Sequence, residues 1–138
     1  MAAAAADGEP SKAVRSLRIL VVDDDRDTVV TLMMLLREEG HEVRGVHAAR
    51  HVVGAILDFD PDAVILDINM PDLSGWEVAR RIRERRARQP LLIGISGEYK
   101  KGSDKVLAHI SGFDHYLVKP YDPKAILAAL GEISTGER

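Results

Sequence analysis

One stretch of the chain limits the possible folds more than any other, because an unbroken apolar run ends abruptly at a carboxylate. The run Ala63-Val64-Ile65-Leu66 leads into Asp67, and a loop containing Pro71 follows and reaches Gly75. A short apolar run without polar alternation is typical of a parallel strand that is covered on both faces. We therefore predict a buried parallel strand with Asp67 at its carboxyl end, the edge where open parallel sheets collect ligands.

A second acidic cluster favours a functional role for Asp67, although many aspartates do no more than end a strand. Asp23-Asp24-Asp25 directly follows another apolar run, from Leu17 to Val22. Two strands of one parallel sheet would bring both clusters to the same edge. The sequence thus predicts an acidic site to which two strands contribute.

The rest of the chain alternates between strand and helix patterns five times. Apolar runs predict strands at 17–22, 42–46, 62–67, 91–95 and 114–118, and helical spacing predicts helices at about 28–39, 48–57, 76–88, 103–110 and 122–133. With right-handed crossovers, this alternation gives an α/β three-layer sandwich around a five-stranded parallel sheet. The helix at 103–110 has the weakest pattern, and we expect it to be the mobile element.

Composition restricts the possible functions and the number of domains. A length of 138 residues with 46% hydrophobic content suits one domain, which we place at 17–134, with flexible tails at 1–16 and 135–138. A net charge of -3 gives no basic field for holding nucleic acid, and the absence of cysteine excludes disulfides and thiolate metal sites. No apolar run approaches membrane-span length. We expect a cytoplasmic protein.

Four predicted strands end in polar groups that should share one edge: Asp23, Asp24, Asp67, Ser96 and Lys119. Two carboxylates about 4 Å apart repel by about 4 kcal/mol at an effective dielectric of about 20, so three need a proton or a cation. Lys119 supplies one positive charge, and an oxygen-rich site suits Mg²⁺. A divalent ion beside a lysine can stabilise a phosphoryl group in transfer, with Asp67 as the nucleophile and Ser96 as a hydrogen-bond donor.

The same residues lie in motifs that resemble the receiver domain of two-component response regulators over about residues 17 to 134. In chain order these are Val21-Val22-Asp23-Asp24, Leu66-Asp67-Ile68-Asn69-Met70-Pro71 with Gly75 eight residues past Asp67, Ser96, and Tyr116-Leu117-Val118-Lys119-Pro120. The resemblance implies a flavodoxin-like (βα)5 fold with strand order 2-1-3-4-5. It also implies that Asp67 accepts a phosphoryl group from a histidine kinase or a histidine phosphotransfer protein.

Further roles follow from the resemblance alone. It implies Mg²⁺ on Asp24, Asp67 and the Asn69 backbone carbonyl, with Asp23 nearby through water. It also implies that Lys119 binds the phosphoryl group, that Ser96 and Tyr116 form a coupled switch pair, and that Asn69 and Glu98 tune dephosphorylation and keep the phosphoryl group short-lived. Gly97 departs from the family pattern, where alanine is usual, and frees the loop after Ser96.

We read the chain as a stand-alone receiver, because only five residues follow Ile133. Such a domain is not a conventional enzyme, since it catalyses only its own phosphorylation and dephosphorylation. Output would then be binding of a downstream protein, or of a second copy of the chain, through the face formed by residues 97–134. Neither nucleic acid nor a membrane is an expected direct partner.

Three other functions fit the residues less well. A phosphatase of the haloacid dehalogenase type needs a second aspartate two residues after the nucleophile, where this chain has Asn69. A flavodoxin-like cofactor binder needs a phosphate-binding loop after the first strand, where Asp23-Asp24-Asp25 would repel phosphate. A scaffold that is never phosphorylated would not need the acidic set, Ser96 and Lys119 together.

Overall fold

Strands and helices alternate along the chain, and the computed structural model describes residues 16–71, 74–85, 88–97 and 112–134. The elements are β1 (Arg18–Val22), α1 (Arg26–Glu38), β2 (Glu42–Val46), a 3-10 turn (Ala49–His51) that leads into α2 (Val52–Phe59), β3 (Ala63–Asp67), α3 (Gly75–Glu84), β4 (Leu91–Ser96), β5 (His115–Val118) and α4 (Pro123–Ser134). No helix among these residues is both long and apolar enough to cross a membrane.

The five strands form one parallel sheet in the order β2-β1-β3-β4-β5, which confirms the predicted topology. The register of the central pair matters for the site, because Val22 lies opposite Leu66. The next residue on each strand is therefore a carboxylate, Asp23 on one and Asp67 on the other. Parallel pairing in this register brings the two acidic clusters together at the carboxyl edge of the sheet.

The sheet is buried on both faces, which explains its unbroken apolar runs. Alternate residues of β1 point to opposite sides. Leu20 and Val22 belong to one buried cluster with residues of α2 and α3. Ile19 and Val21 belong to a second cluster with residues of α1 and α4. The described helices thus form two outer layers around the sheet, as the α/β sandwich requires.

Helix α1 begins two residues earlier than the sequence pattern predicted, at Arg26 instead of Thr28. The reason is the side chain of Asp25, which accepts hydrogen bonds from the Asp27 backbone N–H (3.1 Å) and from the Thr28 hydroxyl (2.9 Å). An aspartate in this position satisfies free N–H groups of the first turn and starts the helix. The third residue of the acidic cluster is therefore a helix cap.

Helix α3 ends at Glu84, four residues earlier than predicted. The side-chain amide of Gln89 donates hydrogen bonds to the carbonyls of Ile82 (3.2 Å) and Arg85 (3.0 Å), so carbonyls of the last turn are capped by a side chain from beyond the helix. This contact depends on how the chain turns back, and the helical periodicity of the sequence does not contain it.

Arg83 lies in the arginine-rich part of α3 and is half-buried. Its guanidinium donates to the carbonyls of Pro90 (2.9 Å) and Gly112 (2.8 Å) and to the carboxylate of Asp114 (2.8 Å). A planar guanidinium can make several such bonds at once. This one side chain joins the end of α3 to the chain entering β4 and to the chain entering β5.

The guanidinium of Arg88 makes contacts at the amino edge of the sheet, where Arg83 also binds. The carboxylate of Asp62, just before β3, accepts hydrogen bonds from the Arg18 backbone N–H (2.8 Å) and from the Arg88 side chain (2.7 Å). Burial alone would raise the pKa of Asp62, but these donors outweigh burial and lower it. The edge opposite the acidic cluster is thus fixed by paired charges.

The predicted helix at 103–110 and the predicted tuning residue Glu98 lie outside the described residues. Their proposed roles stay predictions.

His41 is a buried polar side chain near the start of the sheet, with 7% of its surface exposed. Its Nδ1 accepts a hydrogen bond from the Leu17 backbone N–H over 3.1 Å. Because a backbone N–H can only donate, this Nδ1 carries no proton. Burial lowers the pKa of His41, although Glu39 opposes the shift. The folded state therefore favours the neutral imidazole.

Replacing His41 should change how stability depends on pH. Because the folded-state pKa is below that of the unfolded chain, His41 stabilises the fold fully above about pH 6.5, and this contribution is lost as pH falls from there towards the folded-state pKa. We expect His41→Leu to lower the free energy of unfolding by about 1 to 3 kcal/mol at about pH 7.5, because the buried Leu17 N–H loses its acceptor. The difference from wild type should narrow at about pH 5.

Urea denaturation at several pH values measures this difference. His51→Leu is the matched control, because His51 is exposed, and it should leave the pH dependence as in wild type. A His41→Leu deficit that stays constant from pH 7.5 to pH 5 would contradict the assignment.

Candidate functional site

Three carboxylates meet at the carboxyl edge of the sheet. One oxygen each from Asp23, Asp24 and Asp67 lie within 4.8 Å of one another. Asp23 and Asp67 are almost fully buried, with 4% and 6% of their surface exposed, whereas Asp24 is exposed to solvent. The three side chains therefore form a small acidic pocket that is open on the side of Asp24.

Backbone turns hold the two buried carboxylates in place. The Asp25 N–H donates to Oδ1 of Asp23 over 2.9 Å, and the Asn69 N–H donates to Oδ1 of Asp67 over 2.9 Å. In each case an aspartate accepts from the residue two positions further along the chain, which is the usual aspartate turn. Each turn fixes one carboxylate oxygen as the chain leaves its strand.

Burial and neighbouring negative charge both raise the pKa of Asp23. Burial is the main cause that raises the pKa of Asp23 to about 6, and the neighbouring Asp67 raises it further. The Asp25 N–H and the Lys119 ammonium oppose this rise only in part. The Lys119 Nζ lies 3.7 Å from Oδ2 of Asp23. One lysine thus leaves the three carboxylates incompletely compensated.

This set of donors fits a magnesium ion. Mg²⁺ prefers hard oxygen ligands, uses few carboxylates and keeps several waters. Two fixed, buried carboxylates beside an exposed one offer the oxygens, and the open side leaves room for water. The acidic cluster is compatible with the Mg²⁺ that the sequence predicts.

Ser96 lies at the end of β4 and is 2% exposed. Its hydroxyl donates to Oδ1 of Asn69 over 3.1 Å, and the Gly97 N–H donates to the same oxygen over 3.0 Å. The Ser96 carbonyl accepts from the Lys119 N–H over 2.8 Å, which ties the end of β5 to the end of β4. Sequence reasoning placed Ser96 and Lys119 at this edge, but it missed the bond between Ser96 and the Asn69 side chain.

Tyr116, the predicted switch partner of Ser96, packs towards the core beside α3. Its ring stacks on Trp76, with centroids 6.0 Å apart, and Trp76 meets the ring of Phe113 edge-on at 5.9 Å. The Tyr116 hydroxyl is buried and has no hydrogen-bond partner among the described residues. The contact between Trp76 and Tyr116 was not predicted. The position of this large aromatic next to Gly75 was, however, a signal that Trp76 borders the loop after Asp67.

Gly75 explains how α3 begins so close to the site. A Cβ at this position would lie 2.5 Å from the Cα of Ile68, which no side chain can occupy without a shift of the backbone. Ser74 caps the helix by accepting from the Glu77 N–H over 3.3 Å. The loop that follows Asp67 is therefore pressed directly against the start of α3.

The comparisons with known proteins agree with this fold. A family model described as the response regulator receiver domain matches residues 19–131. The chain belongs to the response regulator receiver family. Receiver domains are signalling domains of two-component systems, so the resemblance seen in the sequence is confirmed.

Two relatives show how far the similarity extends. The transcriptional regulatory protein TcrA of Mycobacterium tuberculosis is 37% identical over 123 residues, which cover 88% of this chain and 47% of that protein. The cell cycle transcriptional regulator CtrA of Caulobacter vibrioides is 31% identical over 114 residues, which cover 83% of this chain and 48% of that protein. This receiver chain spans about half the length of these two relatives.

Two solved structures match along nearly their whole length. The response regulator receiver domain from Bermanella marisrubri superimposes with a TM-score of 0.76 at 29% identity, covering 86% of this chain and 98% of that one. A CheY-like receiver domain protein from Methanospirillum hungatei gives 0.78 at 27% identity, covering 88% and 96%.

Removing one buried carboxylate should stabilise the receiver in the absence of metal. The folded-state pKa of Asp23 is raised from 3.8 to about 6. Ionisation of Asp23 therefore lowers the free energy of unfolding, and this loss develops as pH rises from 3.8 through about 6. We expect Asp23→Asn to raise the free energy of unfolding by about 1 to 3 kcal/mol at about pH 7 in EDTA. The variant should also lose most of the stabilisation that Mg²⁺ gives to the wild type.

Thermal denaturation with EDTA and with Mg²⁺ tests both effects. Asp24→Asn is the matched control, since Asp24 is exposed, and it should weaken the Mg²⁺ effect with little change in EDTA. An Asp23→Asn variant that is less stable than wild type in EDTA would show that repulsion does not dominate the cluster.

Proposed function

We propose that Asp67 accepts a phosphoryl group from the phosphohistidine of a histidine kinase or of a histidine phosphotransfer protein. The observation that carries this proposal is the meeting of three carboxylate oxygens within 4.8 Å of one another, next to Lys119, at the edge of a parallel sheet. A site of this charge attracts a cation and, with it, a phosphoryl group. Receiver domains as a family interact with histidine kinases and with downstream effectors, which supports the choice of donor.

The transfer is a displacement at phosphorus. An oxygen of Asp67 attacks, the new O–P bond forms, and the P–N bond to the donor imidazole breaks. The imidazole nitrogen keeps the electron pair and later takes a proton from water. Asp24, Asp67 and the Asn69 backbone carbonyl would hold Mg²⁺, with Asp23 nearby through water, and the bound ion would supply positive charge to the phosphoryl oxygens.

Three side chains respond to the new group in this proposal. The Lys119 ammonium, which lies 3.7 Å from Asp23, pairs with the phosphoryl oxygens. The Ser96 hydroxyl donates a hydrogen bond to the same group. Tyr116 is coupled to Ser96 through the ends of β4 and β5, which are joined by the bond from the Lys119 N–H to the Ser96 carbonyl. Asn69 and Glu98 set the lifetime of the phosphoryl group.

Output, in this proposal, is a binding event at the face formed by residues 97–134. The partner is a downstream protein or a second copy of the chain, and no nucleic acid or membrane is contacted directly by this domain. The described parts of that face are residues 97 and 112–134, which include strand β5 and helix α4. The differential affinity of such a partner for the two states sets the strength of the signal.

The extent of the domain at 17–134, its cytoplasmic location and its stand-alone organisation stay predictions. The relatives TcrA and CtrA are about twice as long as the segment that matches this chain.

Phosphorylation should depend on both Asp67 and Mg²⁺. With acetyl phosphate as the donor, we expect intact-mass measurement to show one added phosphate on the wild type. The signal should vanish in EDTA and in Asp67→Asn, which keeps the shape of the side chain but lacks the nucleophilic carboxylate. Asp58→Asn is the control for handling, because Asp58 is exposed on α2, and it should label normally. Equal labelling of Asp67→Asn would refute the assignment.

Lys119→Ala should separate phosphorylation from switching. The variant keeps the nucleophile and the metal ligands, so it should fold and become phosphorylated. It loses the cation that connects the phosphoryl group to β5, so the change in amide hydrogen exchange that beryllofluoride causes in the wild type should disappear at 115–121. Lys124→Ala, on the exposed start of α4, is the matched control and should respond like the wild type. A normal response in Lys119→Ala would contradict this role.

A further inference from the structure

The side-chain amide of Asn69 lies between the phosphorylation loop and the end of β4. Its Oδ1 is 3.1 Å from the Ser96 Oγ and 3.0 Å from the Gly97 backbone nitrogen. Asn69 itself is exposed, whereas Ser96 is almost fully buried. Two neighbouring donors of β4 and its following loop thus converge on one oxygen that belongs to the loop after Asp67.

The direction of the Ser96 bond follows from the Gly97 bond. The oxygen and nitrogen of an asparagine amide are hard to distinguish by shape, and a hydroxyl can donate or accept. A backbone N–H, however, can only donate, so the amide atom that faces Gly97 must be the oxygen. The Ser96 hydroxyl therefore acts as the donor to the same oxygen.

A serine hydroxyl has one proton to donate, although its oxygen can accept other bonds at the same time. When that proton is directed to Asn69, it is not available to a phosphoryl oxygen on Asp67. We propose that the Asn69 side chain is a latch that holds the Ser96 hydroxyl away from the phosphoryl position in the unmodified receiver. This inference rests on the proposed function, in which Ser96 donates to the phosphoryl group.

The latch is joined directly to the phosphorylation site by its own backbone. The Asn69 N–H donates to Oδ1 of Asp67 over 2.9 Å, while the Asn69 side chain holds Ser96. One residue therefore contacts the nucleophile through its main chain and the switch serine through its side chain. A change at the Asp67 carboxylate reaches the latch without passing through any other residue.

The latch makes phosphoryl binding weaker than it would otherwise be. Binding must break the bond from Ser96 to Asn69 before the hydroxyl can turn to its new acceptor. Removing the acceptor by Asn69→Ala removes that competition while leaving the backbone carbonyl and N–H of residue 69 in place. The exposed Gly97 N–H can exchange its lost partner for water, so the buried group that loses this acceptor in the variant is the Ser96 hydroxyl.

The predicted effect is about five-fold tighter binding of beryllofluoride to Asn69→Ala than to the wild type in the presence of Mg²⁺, the change expected when one hydrogen bond of about 1 kcal/mol no longer competes. Beryllofluoride serves as the probe because it mimics a phosphoryl group on the carboxylate. Trp76 is the one tryptophan of the chain and lies just after the loop, so its fluorescence reports binding.

A double-mutant cycle with Ser96→Ala tests the mechanism. If Asn69 acts by holding the Ser96 hydroxyl, Asn69→Ala should tighten binding about five-fold when Ser96 is present and leave it unchanged in the Ser96→Ala background. The amide proton of Gly97 provides a second readout, because it should exchange faster in Asn69→Ala but not in Ser96→Ala.

The outcomes separate the latch from the proposed function. A wild type that does not bind beryllofluoride with Mg²⁺ would overturn the proposed function. A wild type that binds, together with an equal effect of Asn69→Ala in both backgrounds, would overturn the latch alone. Weaker binding by Asn69→Ala with Ser96 present would also overturn it, since Asn69 would then assist the phosphoryl state.

Discussion

The pairing of β1 with β3 is the interaction on which the rest of this molecule depends. Because Val22 lies opposite Leu66 in a parallel ladder, the residues that follow them, Asp23 and Asp67, come to the same level. A shift of one residue would turn every side chain of the strand to the other face and separate the carboxylates. The buried clusters on the two sides of the sheet hold this register, so the hydrophobic core fixes the geometry of the charged site.

The burial of two neighbouring carboxylates lowers the stability of the folded protein, and this loss is related to the proposed function. Asp23 and Asp67 are buried side by side, and the pKa of Asp23 rises because desolvation and repulsion both oppose its charge. A cation bound among these carboxylates would relieve their repulsion, so part of this loss would be recovered on metal binding. The Asn69 latch also opposes phosphoryl binding, because the Ser96 hydroxyl must give up one acceptor before it gains another.

The sequence predicted the strands and the acidic site well because both depend on local pattern. Apolar runs identify buried strands, and topology then brings their carboxyl ends together, so Asp23, Asp67 and Ser96 could be assigned to one edge. The early end of α3 and the bond between Asn69 and Ser96 could not be predicted in this way. The end of α3 depends on the Gln89 side chain, which turns back to the carbonyls of Ile82 and Arg85. The Asn69 side chain meets Ser96 only because the sheet brings the ends of two strands together, and no periodicity encodes such contacts.

The charged contacts at the amino edge of the sheet hold that edge in a fixed position. Arg83 ties α3 to the chain before β4 and β5, and Arg88 ties the same region to Asp62 before β3. A Cβ at Gly112 would lie 2.5 Å from the Arg83 side chain, so Gly112 and Arg83 are closely packed. Asp67 lies at the opposite edge of the sheet from these contacts, and we expect a change that starts there to displace the amino edge least.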